Sequence, residues 1–279
     1  MKSANFKMHR PRSLREIIEL LEVHGEDARI LAGGQTLLPM LAMRVASPAH
    51  LIDISLAKEL HEFNVTGKSL RVGAGVTQTA LEGWDQLSQY QPLLKMMFPW
   101  IAHSPIRNRG TVCGSIAHAD PSAEMVLAIM TLEGFVTLGS KKKVRIVKAE
   151  DFFVGALQTI RESNELILSV DFPIQSTKVG YGFSEYGYRH GDFAVVAVAI
   201  IRNGNLWRIG FGGIDDTAKV FHVEANSVSE VGEYIDTLAS TIEVREDPTA
   251  TSGLRRHLMR TLGKRAATQA FEYESDLQL

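Results

Sequence analysis

Along the first part of the chain the apolar positions follow a helical period and then break into short strand-like runs. Leu14, Ile17, Ile18 and Leu21 recur at helical spacing. Ser13 and Glu16 form a capping box in front of them, and Gly25 closes the segment. Arg29–Ala32 is short and apolar and ends in Gly33-Gly34, after which Gln35-Thr36 opens a second apolar run, Leu37–Met43. This order reads as strand, glycine turn, helix. His50–Ile54 and Ser69–Ala74 read as strands. Thr77 is placed to cap a helix over Ala80–Leu87, and Gln91–Met97 reads as a further helix ended by Pro99.

The periodicity then fails. From His103 to Glu124 the chain is too polar and too rich in Gly and Pro for a regular element. Long irregular segments inside compact domains are usually functional or disordered. Asp120-Pro121 predicts a helix over Ser122–Met130, with Asp as N-cap and Pro at the first helical position. Phe135–Leu138 and Val144–Val147 predict a hairpin around Gly139-Ser140, with Lys141–Lys143 as a solvated edge. Leu166–Phe172 reads as a strand. The polar stretch Gln175–Lys178 reads as a linker. Beyond it, Phe193–Ile201 and Leu206–Gly210 flank the hairpin signal Asn203-Gly204. Helices are expected over Val228–Ser240 and Gly253–Phe271, the second with many basic residues on its polar face. The pattern therefore predicts an α+β protein divided near residue 175. Residues 1–175 would be mixed α+β, and residues 176–279 a small antiparallel sheet with helices.

Composition narrows the chemistry. The 279 residues suit two domains, and 45% apolar residues suffice for a packed core. A net charge of −2 argues against a protein that coats nucleic acid. The single cysteine, Cys113, excludes an internal disulfide and the four thiolates of an iron–sulfur cluster or all-cysteine zinc site. Any redox centre must then be an organic cofactor or belong to a partner. No apolar region follows the basic residues of the N-terminus, so it does not read as a secretory signal. The longest apolar run, Phe193–Ile201, is too short to span a bilayer. A cytoplasmic protein is expected.

Two glycine loops carry the candidate chemistry. In Ala32-Gly33-Gly34-Gln35-Thr36, glycines at a strand-to-helix turn leave backbone amides unobstructed, which favours an anion. Taken alone, the loop reads first as a tight turn; it is neither a G-x-G-x-x-G nor a P-loop. Thr111-Val112-Cys113-Gly114-Ser115 again combines small residues with hydroxyls at both ends, and Arg107 and Arg109 just upstream are either a source of charge or solvated surface. Two such loops about eighty positions apart can clamp a diphosphate without a Rossmann helix or a metal. His103 and His118 fit no standard metal spacing, so no metal site is expected. No G-x-S-x-G elbow is present.

These residues also carry a resemblance. Ala32-Gly-Gly-Gln-Thr-Leu-Leu-Pro-Met with Pro48-Ala-His-Leu-Ile-Asp-Ile resembles the first FAD loop of molybdenum hydroxylase flavoprotein subunits, of the xanthine dehydrogenase family. Ile106 to Pro121 resembles their second loop, and Glu165–Pro173 and Gly191–Ala194 resemble two later blocks. The similarity runs from about Lys7 to Gly213, and the length is similar to that of the medium subunit of carbon monoxide dehydrogenase. The resemblance implies a FAD-binding fold of the p-cresol methylhydroxylase and vanillyl-alcohol oxidase type, with two α+β subdomains and a C-terminal α+β domain. It implies electron relay from the two [2Fe–2S] clusters of a small subunit, reduced by a large molybdopterin subunit, through FAD to an acceptor such as NAD or a quinone-linked carrier. The assembly would be a dimer of heterotrimers.

By motif match, the resemblance implies that Ala32, Gly33, Gly34, Gln35 and Thr36, with Thr111, Cys113, Gly114 and Ser115, hold the diphosphate of FAD. Ile101 and Ala102 would line the flavin, Glu124 would bind sugar hydroxyls, Ile167 would pack on the cofactor, and Phe193 would contact the isoalloxazine. Two positions depart from the pattern. Cys113 stands where many relatives have Gly, so a backbone open to any residue is expected there. Glu185 falls where relatives carry Lys near the ring, and a carboxylate would oppose reduced, anionic flavin. Two other readings of the same fold are a self-sufficient flavin oxidoreductase and a scaffold subunit that has lost FAD. The first would need its own substrate domain. The second is opposed by the small residues at Gly33, Gly34 and Gly114.

Overall fold

The computed structural model describes residues 2–175 and 179–276. The first sheet is parallel and three-stranded, built from β1 (Lys7–His9), β2 (Ala28–Leu31) and β3 (His50–Asp53), with β3 in the centre. Helix α1 (Leu14–His24) joins β1 to β2, and α2 (Leu37–Ala42) joins β2 to β3. Ser13 caps α1 by accepting the Glu16 amide at 3.3 Å. The Glu16 carboxylate returns to the Arg12 amide and not to Ser13, so the capping box closes one residue early. Ile17 and Leu21 form the buried stripe of α1, and Gly25 ends it at φ 48°.

A second, antiparallel sheet follows. Its strands are β4 (Phe63–Thr66), β5 (Ser69–Gly73), β6 (Phe135–Gly139) and β7 (Val144–Lys148). A two-stranded ribbon, β8 (Phe153–Gly155) with β9 (Gln158–Thr159), precedes the fifth strand, β10 (Leu166–Pro173). The order is β4-β5-β10-β6-β7, so β10 lies between hairpins that come far earlier in sequence. The hairpin expected at Gly139-Ser140 is present, and Lys141–Lys143 are exposed at its tip. Arg145 of β7 grips the buried Glu165 with two bonds of 2.7 Å just before β10.

The helix expected over Ala80–Leu87 is interrupted. α3 (Gln78–Glu82) stops at Gly83, and α4 (Leu87–Tyr90) and α5 (Pro92–Met97) follow separate turns. The stretch from His103 to Glu124, expected to be irregular, contains α6 (Ser104–Arg107) and α7 (Val112–His118). Thr111 caps α7, and burial of Val112, Cys113 and Ile116 stabilises a helix that its composition disfavours. The next helix, α8 (Glu124–Thr131), starts two residues later than expected. Asp120 uses its side chain on the Ser122 amide at 2.8 Å and its carbonyl on the Ala123 amide at 3.0 Å, so Asp-Pro forms a turn ahead of the helix. α9 (Ala149–Phe152) links β7 to β8.

The third sheet is an antiparallel meander of β11 (Gly180–Tyr186), β12 (Val196–Asn203), β13 (Leu206–Gly212) and β14 (Lys219–Glu224). Phe193 precedes β12 and does not start it. Asn203 pairs with Leu206, so the turn is Gly204-Asn205, one residue later than the sequence signal suggested. The chain ends in α10 (Val228–Thr241) and α11 (Ser252–Asp276), which pack on this sheet. The basic face expected on α11 is used against α10: Lys264 pairs with Asp236 at 2.7 Å, and Arg260 bonds Ser240 at 2.8 Å. On the sheet's opposite face lies α8. Gly210 permits this approach, since a Cβ there would stand 2.0 Å from Thr131 Oγ1. Two hydrophobic clusters result, one shared by the first two sheets and α8, the other between the third sheet, α10 and α11. The linker reading falls largely on residues 176–178, which lie outside the described residues. Among the described residues, no helix is long and apolar enough to cross a membrane.

Candidate functional site

The first glycine loop spans the turn between β2 and α2. Among the described residues, the amides of Gly33, Gly34, Gln35 and Thr36 donate to no protein acceptor. Gln35 turns its side-chain amide onto the Gly33 carbonyl at 3.0 Å. Thr36 is the N-cap of α2 but makes no side-chain capping bond, so its exposed hydroxyl is unspent. A run of unspent amides at a helix start favours an anion.

The second loop packs directly on the first. A Cβ on Gly33 would lie 2.2 Å from the Arg109 carbonyl oxygen and 2.7 Å from Gly110 Cα. A Cβ on Gly114 would lie 3.9 Å from Ala32 Cβ. A third segment, Ala74 to Gln78, completes the cradle, which the motif pattern of the two loops does not predict. The Gln78 amide donates to Gly110 O at 2.8 Å, and the Val112 amide donates to Val76 O at 3.1 Å. Gln78 is buried, and its Oε1 has no hydrogen-bond partner among the described residues. The available sequence signal was Gly73-Ala74-Gly75 directly after a strand.

Not every expected donor is free. Thr111 is buried, and its hydroxyl accepts the Gly114 amide at 2.9 Å, so one loop amide is internally satisfied. Cys113 lies inside α7 and is not among the residues with positive φ, as expected for a Cβ-bearing residue. Its thiol points at Val72 O, 3.5 Å away, and burial pushes its pKa up. Only its backbone remains for a ligand. Ser115 follows on the same helix, half-buried.

Arg107 does not serve as a free phosphate cation. It pairs with Glu82 at 2.8 Å and donates to the Ile101 carbonyl at 2.9 Å. It thereby holds the turn at Ile101-Ala102, where Ala102 adopts φ 43°. A Cβ on Gly191 would stand 2.9 Å from Ala102 O, so the loop carrying Phe193 abuts this turn. Phe193 is exposed and lines a cleft of about 620 Å³ with Asp120, Ser122, Leu157, Tyr188 and Arg245. Arg255 is fully buried behind the cleft wall. It donates to Val195 O and Gly213 O at 2.6 Å and pairs with Asp247 at 2.5 Å.

Glu124, first residue of α8, and Glu185, on β11, are both buried. Burial raises the pKa of each carboxyl. Asp120 raises Glu124 further, and Glu124 raises Glu185. Glu185 Oε2 has no hydrogen-bond partner among the described residues. Two carboxyls in one dry environment favour holding a proton over carrying two charges. Ile167 is buried in β10, opposite Leu138, and the neighbouring Leu168 carbonyl accepts the Ala74 amide at 3.1 Å.

Three loops braced against one another around a row of unspent amides form, on an α+β frame, a cradle whose chemistry suits a phosphate-bearing ligand. The chain belongs to the family described as FAD binding domain in molybdopterin dehydrogenase, which matches residues 4–175, and its cofactor is FAD. That family is one of oxidoreductases. The chain is 32% identical to caffeine dehydrogenase subunit beta of Pseudomonas sp. strain CBB1, over 97% of this chain and 96% of that protein. It is 35% identical to the carbon monoxide dehydrogenase medium chain of Afipia carboxidovorans, over 71% of this chain and 68% of that one. Among solved structures, it superposes on quinoline 2-oxidoreductase from Pseudomonas putida 86 with a TM-score of 0.91 and 32% identity, covering 100% of both chains. Carbon monoxide dehydrogenase from Hydrogenophaga pseudoflava gives a TM-score of 0.92 at 29% identity, covering 98% of this chain and 99% of that one. The residues present fit the cofactor: the cradle offers amides, an unspent hydroxyl at Thr36 and an orphaned Gln78 Oε1.

Proposed function

We propose that this chain is the electron-relaying flavoprotein subunit of a cytoplasmic molybdenum hydroxylase complex. It would receive electrons from the [2Fe–2S] clusters of a small partner subunit, reduced in turn by a large molybdopterin subunit. It would pass them to an external acceptor such as NAD or a quinone-linked carrier, within a dimer of heterotrimers. The observation that carries this reading is the close-packed contact of Gly33 with Arg109 and Gly110 beneath a run of unspent amides.

On this reading, residues 1–175 form the FAD-binding domain in the p-cresol methylhydroxylase arrangement, with the first and second sheets as its two subdomains. Residues 176–279 form the C-terminal domain. Bound FAD supplies a carrier that takes up electrons singly and releases them singly or in pairs. The Ala32–Thr36 and Thr111–Ser115 loops hold its diphosphate through backbone amides and hydroxyls. Glu124 accepts from sugar hydroxyls of the cofactor, Ile167 packs on it, and Ile101 and Ala102 line the flavin. Phe193 presents an aromatic face to the ring from the cleft, and Glu185, kept protonated by burial, lies near the ring without adding a charge. The single buried thiol agrees with a reducing compartment and with clusters held by another chain.

Expression with the genes flanking its own tests the proposal. The expected result is a complex that contains flavin, iron and molybdenum and whose flavin is reduced by the complex's substrate. A flavin-free chain that elutes alone would overturn it. Turnover of a substrate by the isolated chain would replace it with a self-sufficient oxidoreductase.

A further inference from the structure

We propose that His9, His24 and His50 form a binding site for a divalent transition-metal ion of the zinc class. The three imidazoles come from three elements: the end of β1, the last turn of α1 and the start of β3. One ring nitrogen from each lies within 4.8 Å of the others, and no other such group of histidines, cysteines and carboxylates occurs among the described residues. All three are half-buried, so solvent and ions reach them. The site is separate from the glycine cradle: His50 pairs with Ala28 at the start of β2, whereas the cradle follows Leu31 at its end.

The geometry is close to a coordination set. His9 Nε2 and His50 Nδ1 are 2.9 Å apart. Two nitrogens bound to one tetrahedral zinc at about 2.0–2.1 Å lie roughly 3.3 Å apart. A shared hydrogen bond at that distance also requires one of the two nitrogens to carry a lone pair. The His24 ring stacks on His50 with centroids 3.7 Å apart and planes 16° apart. A metal sits in the plane of each ligating imidazole, so His24 must turn to bind. Among the described residues, its side chain makes ring contacts with His9 and His50 and no hydrogen bond.

The donor set selects the ion. Three imidazoles without a carboxylate suit Zn²⁺, Cu²⁺ or Ni²⁺, whereas Mg²⁺ and Ca²⁺ require oxygen ligands. Neutral rings are the ligating form. Three protein ligands leave the fourth zinc position to water. The bound ion would cross-link β1, α1 and β3 and stiffen the first sheet.

The test uses the full-length, FAD-loaded protein after chelator treatment. Zn²⁺ is titrated calorimetrically, Co²⁺ serves as a visible-absorption probe, and thermal melting is followed with and without Zn²⁺. The expected result is one equivalent bound, a Co²⁺ spectrum with imidazole ligation, and a melting temperature raised by Zn²⁺. Binding should weaken roughly tenfold or more in His24→Gln and in His50→Ala. Should His50→Ala misfold, His24→Gln decides, because His24 lies on the outer last turn of α1. Equal Zn²⁺ affinity in wild type and His24→Gln, or no stoichiometric binding to wild type, would overturn the proposal.

Discussion

Gly33 faces the backbone of Arg109 so closely that a Cβ would stand 2.2 Å from the Arg109 carbonyl oxygen. Residues 76 positions apart in sequence are thus in direct backbone contact, and the neighbour is a carbonyl that cannot turn away as a side chain can. Gly33→Ala should push the two loops apart. The expected outcome is a large loss of flavin per chain and a stability loss of about 1–3 kcal/mol. Flavin absorbance per protein and denaturant melts measure both.

The buried carboxyl pair makes stability depend on pH. The folded pKa values of Glu124 and Glu185 are raised by burial first. The protonated forms are therefore favoured in the fold. Their contribution is fully present below the unfolded pKa, about 4.3, and is lost as pH rises through the folded values. Glu185→Gln should match wild type near about pH 3.5 and exceed it by about 1–3 kcal/mol at about pH 8.5. Urea melts at the two pH values measure the difference, and a pH-independent gap would contradict it.

Glu185 also bears on the proposed flavin chemistry. A cation at this position would favour reduced, anionic flavin, and the buried Glu124 carboxyl would be its partner in the variant. Glu185→Lys should raise the midpoint potential by on the order of tens of millivolts. Spectroelectrochemical titration of the flavin-loaded protein reads this directly, and an unchanged or lowered potential would count against it.

Cys113 should be chemically silent in the native protein. It is buried, its pKa is pushed up by burial, and only the thiolate reacts. Labelling by iodoacetamide at neutral pH should be on the order of a hundredfold slower than in denaturant. Mass spectrometry of quenched samples follows the rate.

Arg107 is expected to act on the fold before it acts on the ligand. Its bonds to Glu82 and to the Ile101 carbonyl hold a turn that contains a positive φ at Ala102. Arg107→Ala should cost about 1–3 kcal/mol, since Glu82 loses a largely buried partner. Glu82→Gln should cost less, because the Ile101 contact survives. Paired denaturation curves distinguish the two.

Local order along the chain was legible wherever the cause was local. Ser13, Gly25 and Thr77 mark element ends through bonds made within a few residues, and the glycine pair after β2 marks the turn that carries the amides. The second loop was found by its small residues, although the helix it caps was read as irregular, because burial of Val112, Cys113 and Ile116 outweighed composition. Asp120-Pro121 misled by two residues, because a turn and a helix cap use the same side chain.

What the sequence alone determined was the strand–glycine–helix start, the two small-residue loops, their order, and that a single cysteine cannot supply the four thiolates of an iron–sulfur cluster. Only the tertiary structure decided that Gly33 meets Arg109, that Gln78 closes the cradle from a third loop, that Arg107 is consumed by Glu82, and that Glu124 and Glu185 share one dry environment. It also gathered His9, His24 and His50 from three elements. The reason is physical: backbone signals act over three or four residues. Burial, ion pairing and the clearance for one Cβ are set between residues that only the closing of the sheets brings together.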